Sequence, residues 1–443
     1  ERPVVFIGPY EHHSNELPWR ESIADVVVID EDANGHVDLA QLEEELKKFE
    51  TRPLKIGSFS AASNVTGIAT DTRAIASLLH QYGALSFWDY AAAAPYVKID
   101  MAPSAQGHDD GKDAIFLSPH KFIGGPGTPG LLVVKRRLLT NRVPARPGGG
   151  TVAYVSTDEH RYISDAERRE EGGTPAIIES IRAGMVFQLK EAVGTDLIRA
   201  REAGFIKRAI GDWEANPNIE LLGNLKAERL SIVSFIVRHG ERYLHHDFVV
   251  AVLNDVFGIQ ARGGCSCAGP YGHRLLGIDK PMSKRFEDAI MHGCEGIKPG
   301  WVRVNFNYFL TEEVFNFILK AVHWIAEEGW KLLPDYEFDA VTGRWQHRKA
   351  KSATVAGLDD IRYEDGKLKF QSQRTCAPAS LLGPYLEDAP KIAADVTARF
   401  ATGKTTPAPL APDLESLRWF PLPDDAWTET DGKAEKNPLH SAE

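Results

Sequence analysis

The feature that most constrains the fold is a regular alternation, in the first half of the chain, of short apolar runs and longer helical patterns. Helical patterns with one apolar side cover residues 38–49 and 71–82, and Gly83 stands at the C-cap position after the second. Strands that alternate with helices of this length indicate βαβ units, so the sequence predicts an α/β fold with a largely parallel sheet. The strand-like runs are residues 4–7, 26–29, 54–59, 85–88, 114–117 and 131–134.

The pattern changes after the large domain, which we place at residues 1–192. Mixed strand and helix patterns over residues 193–333, with helices expected at residues 247–257 and 312–328, predict a smaller α+β domain. Because the first residue is Glu1 and a strand-like run follows at once, we expect the chain to be a fragment that lacks the start of the large domain.

Residues 334–443 are predicted to form an extension of the two domains. Within it, Asp365-Gly366 indicates the turn of a β-hairpin. From Thr405 onward the sequence is rich in proline and aspartate, which predicts a poorly ordered tail.

Composition and charge narrow the classes of function. A formal net charge of −11 over 443 residues argues against nucleic acid or an anionic membrane as the main partner. No apolar run reaches the roughly 18 residues that a transmembrane helix needs. Four cysteines are too few for a disulfide framework in a chain of this size, so we expect reduced thiols and a cytoplasmic protein.

The most informative segment is a polar cluster of Ser118, His120 and Lys121, which lies between a strand and a glycine-dense turn ending at Gly130. In an open α/β sheet, ligands bind at the carboxyl ends of the strands. Ser118 and His120 can donate hydrogen bonds to a phosphate, and the neutral amine of a buried lysine can form an imine with an aldehyde cofactor. The segment alone is equally consistent with a surface lysine in a loop.

A second feature favours the cofactor. The strand at residues 85–88 ends in Asp89, ahead of the cluster that contains Lys121. Pyridoxal 5′-phosphate (PLP) needs an acid that keeps its pyridine nitrogen protonated, so that the ring can act as an electron sink. A lone aspartate after a strand is more often a turn residue, but its place ahead of Lys121 indicates a partner of the cofactor.

Six motifs occur in a fixed order over roughly residues 4–330. They are Glu11-His12-His13-Ser14-Asn15 with Pro18-Trp19, Ser63-Asn64-Val65-Thr66-Gly67, Asp89, Ser118-Pro119-His120-Lys121, Gly172-Gly173-Thr174-Pro175, and Arg262 followed by Cys267-Ala268. Together they resemble the class V aminotransferase family of PLP-dependent enzymes, and within it the cysteine desulfurase and selenocysteine lyase branch. The resemblance implies the PLP-dependent transferase fold of type I.

The resemblance also implies how the cofactor is held. Lys121 would form the Schiff base and later carry a proton, and Asp89 would pair with the pyridine nitrogen. His12 would stack on the ring face and serve as an acid-base group. Asn64 would bond the phenolic oxygen.

For the phosphate and the substrate, the resemblance implies a further set of residues. Ser118 and His120 would hold the phosphate, and Thr174 would reach the phosphate of the neighbouring subunit. Arg303 matches the arginine that clamps the substrate carboxylate, for which a guanidinium is well suited. Arg262 matches a position close to the substrate.

A thiol distinguishes the desulfurases from their relatives, and Cys267 stands where that branch has its persulfide-forming cysteine. PLP chemistry makes the Cβ–S bond of the substrate labile, a thiolate attacks the sulfur, and neighbouring arginine and histidine would raise the thiolate fraction. Cys267 could instead be a small buried apolar residue, or a metal ligand with Cys265 and His273, although Cys-x-Cys without a second ligand pair is weak evidence for zinc. Cys294 and Cys376 are predicted to be structural.

No metal site is predicted. His245-His246-Asp247 precedes a helical pattern, and we interpret these residues as an N-terminal cap rather than as a ligand set.

The sequence departs from the family pattern in two places. Ala92 stands where the desulfurases carry a glutamine that bonds the phenolic oxygen of the cofactor, which leaves Asn64 as the only matched group there. The earlier phosphate-binding Gly-Thr stretch of the family has no counterpart and would lie before Glu1.

The sequence therefore predicts a homodimeric PLP enzyme with shared active sites. Its small amino-acid substrate would be L-cysteine or selenocysteine, the product would be alanine, and Cys267 would pass sulfur to an acceptor protein. One alternative is a class V aminotransferase, epimerase or β-lyase without a catalytic thiol, and the products would separate it from a desulfurase. The other is a non-catalytic sulfur-transfer scaffold, which would show no cofactor absorbance and no loss of function in Lys121→Ala.

Overall fold

The computed structural model describes residues 1–350, 360–370, 378–400, 412–426 and 439. Cys376 and most of the tail predicted from Thr405 lie outside these residues. The chain folds into two compact units. The first comprises Glu1–Ile206, Gly223–Ile232 and Cys267–Tyr271, and the second comprises Lys207–Leu222, Val233–Ser266 and Gly272–Glu443.

One sheet forms the centre of the first unit. Its strands are β1 (Val4–Ile7), β2 (Asp25–Val28), β3 (Lys55–Ser60), β4 (Leu85–Asp89), β5 (Ala114–Leu117) and β6 (Leu131–Val134). They follow the order β2-β1-β3-β4-β5-β6; the first five are parallel, and β6 pairs antiparallel with β5. This pairing confirms the predicted α/β class with a largely parallel sheet. Each strand also lies within one residue of its predicted run.

The helices of this part of the chain are α1 (His13–Arg20), α2 (Leu39–Lys48), α3 (Thr72–Gln81), α4 (Ala166–Glu170), α5 (Ile177–Val193) and α6 (Thr195–Trp213), and a hairpin joins β7 (Val152–Val155) to β8 (His160–Tyr162). The helices predicted at residues 38–49 and 71–82 are confirmed as α2 and α3. The side chains of Asp38 and Asp71 cap them by accepting backbone N–H groups of the first turn. Gly83 follows α3 with a φ of 66°, a conformation that favours glycine.

Helix α1 has no counterpart among the predicted elements. Its sequence has no apolar stripe and contains Pro18, and its buried residues are the polar Asn15 and Glu16. The N-cap residue His12 and polar contacts at the first turn hold it after β1.

The second unit contains a smaller sheet and most of the remaining elements. The strands are β9 (Ile219–Leu221), β10 (Ile232–His239), β11 (Arg242–Leu244), β12 (Arg262–Gly264), β13 (Trp301–Asn305), β14 (Tyr336–Phe338), β15 (Trp345–His347), β16 (Arg362–Glu364) and β17 (Lys367–Lys369). The sheet has the order β11-β10-β13-β12, with β9 beside β10, and β14-β15 and β16-β17 pair as hairpins. The helices are α7 (His246–Phe257), α9 (Lys280–Met291), α10 (Glu312–Glu328), α11 (Leu382–Phe400) and α12 (Pro412–Glu415). Helix α8 (Gly269–Leu275) has residues in both units.

The segment at residues 412–426 packs into the core of the second unit. Trp419 and Phe420 are fully buried, and the indole N–H of Trp419 donates a 2.9 Å hydrogen bond to the carbonyl of Ile297. The expectation of a poorly ordered tail is therefore wrong for this segment. In the parts of the chain that the structure describes, no helix combines the length and apolar character needed to cross a bilayer.

Candidate active site

A cavity of about 670 Å³ opens at the carboxyl ends of β3, β4 and β5, the edge where open α/β sheets bind ligands. Its volume lies within the roughly 300–1,000 Å³ of small-molecule sites. All of its lining residues belong to the first unit. Among them are six of the predicted cofactor residues, His12, Asn64, Asp89, Ser118, His120 and Lys121.

Lys121 ends a short 3-10 turn that follows β5 directly. The next residue, Phe122, is buried and packs on Phe187 of α5 with ring centroids 4.8 Å apart. A side chain at Gly125 would collide with the carbonyl oxygen of Pro119, so glycine is required where the chain folds back. The aromatic contact and the close turn together hold Lys121 beside the cavity. Lys121 itself is exposed, so the expected burial of its amine is not found.

Asp89 is the last residue of β4. It lies in register with Ser60 of β3 on one side and Phe116 of β5 on the other, so it occupies the middle of the sheet edge. Its Oδ1 accepts a 2.7 Å hydrogen bond from the backbone N–H of Ala91, which fixes the orientation of the carboxylate. A carboxylate oriented in this way can pair with a protonated ring nitrogen.

His12 is the N-cap residue of α1 and lines the cavity. Its Nδ1 accepts a 3.1 Å hydrogen bond from the backbone N–H of Ser14. In the neutral ring the proton is therefore on Nε2. The cap fixes both the tautomer and the orientation of an imidazole that can cover a ring face.

Glu11 has no role in the sequence prediction, although it belongs to a quoted motif. It is buried and accepts hydrogen bonds from the Ser60 hydroxyl at 2.6 Å, the Ser60 N–H at 2.9 Å and the Asn15 amide at 2.7 Å. Burial raises the pKa of Glu11 to about 7 despite these donors. The carboxyl group thereby connects the end of β3 to the start of α1, and so connects Ser60 to His12 at the cavity.

Asn64 lies in the loop that follows β3. The hydroxyl of Ser63 accepts the backbone N–H groups of Val65 and Thr66, and the N–H of Gly67 donates to the Ser63 carbonyl at 3.0 Å. This turn around Ser63 presents Asn64 to the cavity.

Cys267 belongs to the first unit but is not among the residues that line the cavity. Its carbonyl accepts a 2.9 Å hydrogen bond from the backbone N–H of His13, the residue that follows His12. Its φ of 56° is left-handed, which is unusual for a residue with a side chain.

The other predicted residues are not among those that line the cavity. Thr174 is exposed in the first unit. Arg262 and Arg303 lie in the second unit, where they are direct partners in the antiparallel pairing of β12 and β13. The backbone register thus brings together the two arginines that were matched to the substrate.

His245 caps α7, as predicted. Its Nδ1 accepts the backbone N–H of Asp247 at 3.1 Å, and its Nε2 lies 3.1 Å from the carbonyl of Gly296, to which it donates. Both ring nitrogens of His245 therefore make hydrogen bonds to the backbone. Burial lowers the pKa of His246 to about 3 and raises that of Asp247 to about 6.

Comparison with known proteins gives a consistent family assignment. A family model described as Aminotransferase class-V matches residues 2–313. Curated relatives include a probable cysteine desulfurase of Halalkalibacterium halodurans, 29% identical over 274 residues, which are 61% of this chain and 63% of that protein. Another, from Staphylococcus aureus strain Mu50, is 30% identical over 275 residues, which are 61% of this chain and 62% of that protein. The chain thus spans less than two thirds of the length of these relatives.

Solved structures share the fold. The apo cysteine desulfurase of Thermococcus onnurineus NA1 matches with a TM-score of 0.60 at 24% identity, over 74% of this chain and 73% of that one. The Escherichia coli cysteine desulfurase CsdA, in its S-sulfonic acid form, matches with a TM-score of 0.59 at 24% identity, over 72% of this chain and 71% of that one. These likenesses confirm the predicted fold class.

Proposed function

The chain belongs to the aminotransferase class-V family, and on that premise we propose that it is a PLP-dependent, cysteine desulfurase-like enzyme. It removes sulfur from L-cysteine, or selenium from selenocysteine, and leaves alanine. The names of the curated relatives support this choice within the family.

The observation that carries the proposal is the set of side chains around the cavity. Lys121 offers an amine for an aldehyde, Asp89 a carboxylate for a pyridine nitrogen, and His12 an imidazole for the ring face. Ser118 and His120 offer donors for a phosphate at the same edge of the sheet. These five groups fit the functional groups of PLP, and a cavity of about 670 Å³ has room for the cofactor and a small amino acid.

In the proposed mechanism PLP, when bound, supplies the electron sink that stabilises negative charge at the substrate Cα. Asp89 would hold the pyridine nitrogen of the bound cofactor in its protonated form, and Asn64 would bond the phenolic oxygen. The Nζ of Lys121 takes the proton from the substrate Cα and later returns it. His12, with its proton on Nε2, covers the ring and can deliver that proton toward the cavity.

Sulfur transfer is assigned to Cys267. Its thiolate Sγ attacks the substrate sulfur, so that an S–S bond forms while the Cβ–S bond breaks. The carbon fragment keeps the electron pair of the broken bond and takes up a proton at Cβ, which gives alanine and a Cys267 persulfide. An acceptor protein then takes the terminal sulfur. The Arg303 guanidinium clamps the substrate carboxylate, and Arg262, its partner across the β12–β13 pairing, supports the same end of the substrate.

A homodimer with shared active sites is part of the proposal. One side of α5 exposes Ile177, Ile178, Ile181 and Met185, each more than half exposed, which supports contact with a second subunit. The exposed Thr174 would then reach the phosphate bound by that subunit. Cys265, Cys267 and Cys294 are thiols, which supports a reducing, cytoplasmic location.

The experiment that tests this function measures the visible cofactor band and the products from L-cysteine. We expect the protein with PLP and an added dithiol, which reduces the persulfide and releases its outer sulfur, to form alanine and sulfide. Lys121→Ala should lose the cofactor band, and Cys267→Ala should keep the band but lose sulfide output under the same conditions. Full desulfuration by Cys267→Ala would contradict the thiol role.

Two observations favour a second candidate function. Ala92 lines the cavity where the desulfurases carry a glutamine, and Cys267 does not line it. These two facts would suit a class V aminotransferase, epimerase or β-lyase that uses PLP without a thiol. A panel of amino acids separates the candidates, because a transaminase gives a keto acid and the desulfurase gives alanine.

A further inference from the structure

Two neighbouring histidines make their contacts in different directions. His12 lines the cavity. The ring of His13, whose centroid is 6.2 Å from that of His12 with the planes 51° apart, bonds instead to the segment that carries Cys267. The proposed cofactor site explains the position of His12, but it does not explain the hydrogen bond of His13.

The backbone at Cys267 needs support from outside the segment. Ser266 and Cys267 have φ values of 54° and 56°, and across the described ranges Asp365 is the only other non-glycine residue with a positive φ. A left-handed residue with a Cβ is sterically unfavourable, so the surrounding contacts must hold it in place.

His13 makes hydrogen bonds to the residues on both sides of Ala268, which follows Cys267. Its backbone N–H donates to the carbonyl of Cys267 at 2.9 Å, and its Nε2 accepts the backbone N–H of Gly269 at 3.1 Å. Between them lies Ala268, which is fully buried. Because Nε2 is the acceptor, the neutral ring of His13 carries its proton on Nδ1.

The far end of the segment Cys267–Tyr271 is held in place independently of His13. Tyr271 is buried, its ring centroid lies 5.6 Å from that of Tyr10, and its hydroxyl lies 3.3 Å from that of Thr66. Loss of the His13 side chain would therefore loosen the part of the segment next to Cys267 and leave Tyr271 in place.

We propose that His13 is a positioning residue for the transfer of sulfur, and that it acts by fixing the Cys267–Gly269 turn rather than by contact with substrate or cofactor. The proposal rests on the proposed desulfurase function. It gives the second histidine of the Glu11-His12-His13 motif a role distinct from that of the first.

The test compares His13→Ala with His13→Gln in the protein with PLP bound. A glutamine amide oxygen can take the place of Nε2 as acceptor, whereas alanine cannot. In His13→Ala we expect an unchanged cofactor band, an unchanged KM for cysteine, and a kcat for alanine formation lowered roughly tenfold, as one lost hydrogen bond would cause. Amide hydrogen exchange over residues 267–269 should also accelerate about tenfold. His13→Gln should restore the kcat and the exchange rate to the wild-type values.

Several results would overturn the proposal. Exchange and kcat that stay at the wild-type values in His13→Ala would show that the turn does not need His13. A His13→Gln variant with restored exchange and a lowered kcat would point to acid-base chemistry by the imidazole instead. If the unmodified protein makes no alanine, the desulfurase function fails, and the exchange comparison still decides whether His13 fixes the turn.

Discussion

The hydroxyl of Ser60 donates a 2.6 Å hydrogen bond to the carboxyl group of Glu11, and the backbone N–H of Ser60 donates to the other oxygen at 2.9 Å. Ser60 lines the cavity, and Glu11 directly precedes His12, which lines it as well. This pair is the structural link between the end of β3 and the first turn of α1. It also places an ionisable group in the core, because Glu11 is buried.

Replacing Glu11 with Gln should remove a pH dependence of stability. Burial raises the pKa of Glu11 from 4.5 to about 7, so between these values the folded state binds more protons than the unfolded state. Wild-type stability should therefore fall, relative to Glu11→Gln, by about 3 kcal/mol as the pH rises from 4.5 to 8. Urea unfolding at several pH values measures this difference. The exposed Glu214→Gln should follow the wild type, and parallel curves for wild type and Glu11→Gln would contradict the prediction.

The sequence predicts the first unit well because its signals are local. Apolar runs fix β1 to β6, and the carboxylates of Asp38 and Asp71 mark the starts of α2 and α3. Local signals also predict residues of the cavity. Asp89 and Lys121 each come at or after the end of a strand, and the ends of parallel strands meet at one edge of the sheet. Helix α1 lacks an apolar stripe, so periodicity gives no sign of it.

Other features depend on packing between distant parts of the chain. The role of Glu11 requires the end of β3, which lies 49 residues away at Ser60. The buried indole of Trp419 donates its N–H to the carbonyl of Ile297, 122 residues earlier. Composition alone made the segment around Trp419 resemble a disordered tail, and no periodicity in it reveals the partner surface.

A side chain at Gly125 should weaken cofactor binding. A Cβ there would collide with the carbonyl oxygen of Pro119, so Gly125→Ala must shift the turn that carries Lys121. We expect a stability loss of about 1–3 kcal/mol and weaker PLP binding, measured by absorbance titration. The control is Gly184→Ala in α5, where nothing lies within 4 Å of the new Cβ and helix propensity adds up to about 1 kcal/mol. Equal PLP affinity in both variants would contradict the prediction.

Trp419→Ala should destabilise the second unit. The side chain is fully buried, stacks on His245 with centroids 5.2 Å apart, and donates to the Ile297 carbonyl. Its loss leaves a cavity and an unsatisfied carbonyl, so we expect about 3–5 kcal/mol less stability in urea unfolding followed by circular dichroism. Tyr363→Ala, at a residue that is 77% exposed, should change stability by no more than about 0.5 kcal/mol. Similar losses in the two variants would mean that Trp419 is not part of the core.

His12 carries two roles that substitution can separate. As N-cap of α1 it accepts the Ser14 N–H through Nδ1, and as a cavity residue it offers its ring to the cofactor. Asparagine is a good N-cap residue but has no ring, so His12→Asn should keep the stability of the wild type within about 0.5 kcal/mol, while His12→Ala should lose about 1 kcal/mol. Both variants should lose most alanine formation, because neither can cover the face of the cofactor or deliver a proton from Nε2. Thermal unfolding and product analysis with L-cysteine measure the two effects separately. Wild-type activity in His12→Asn would show that the histidine serves only as the cap of α1.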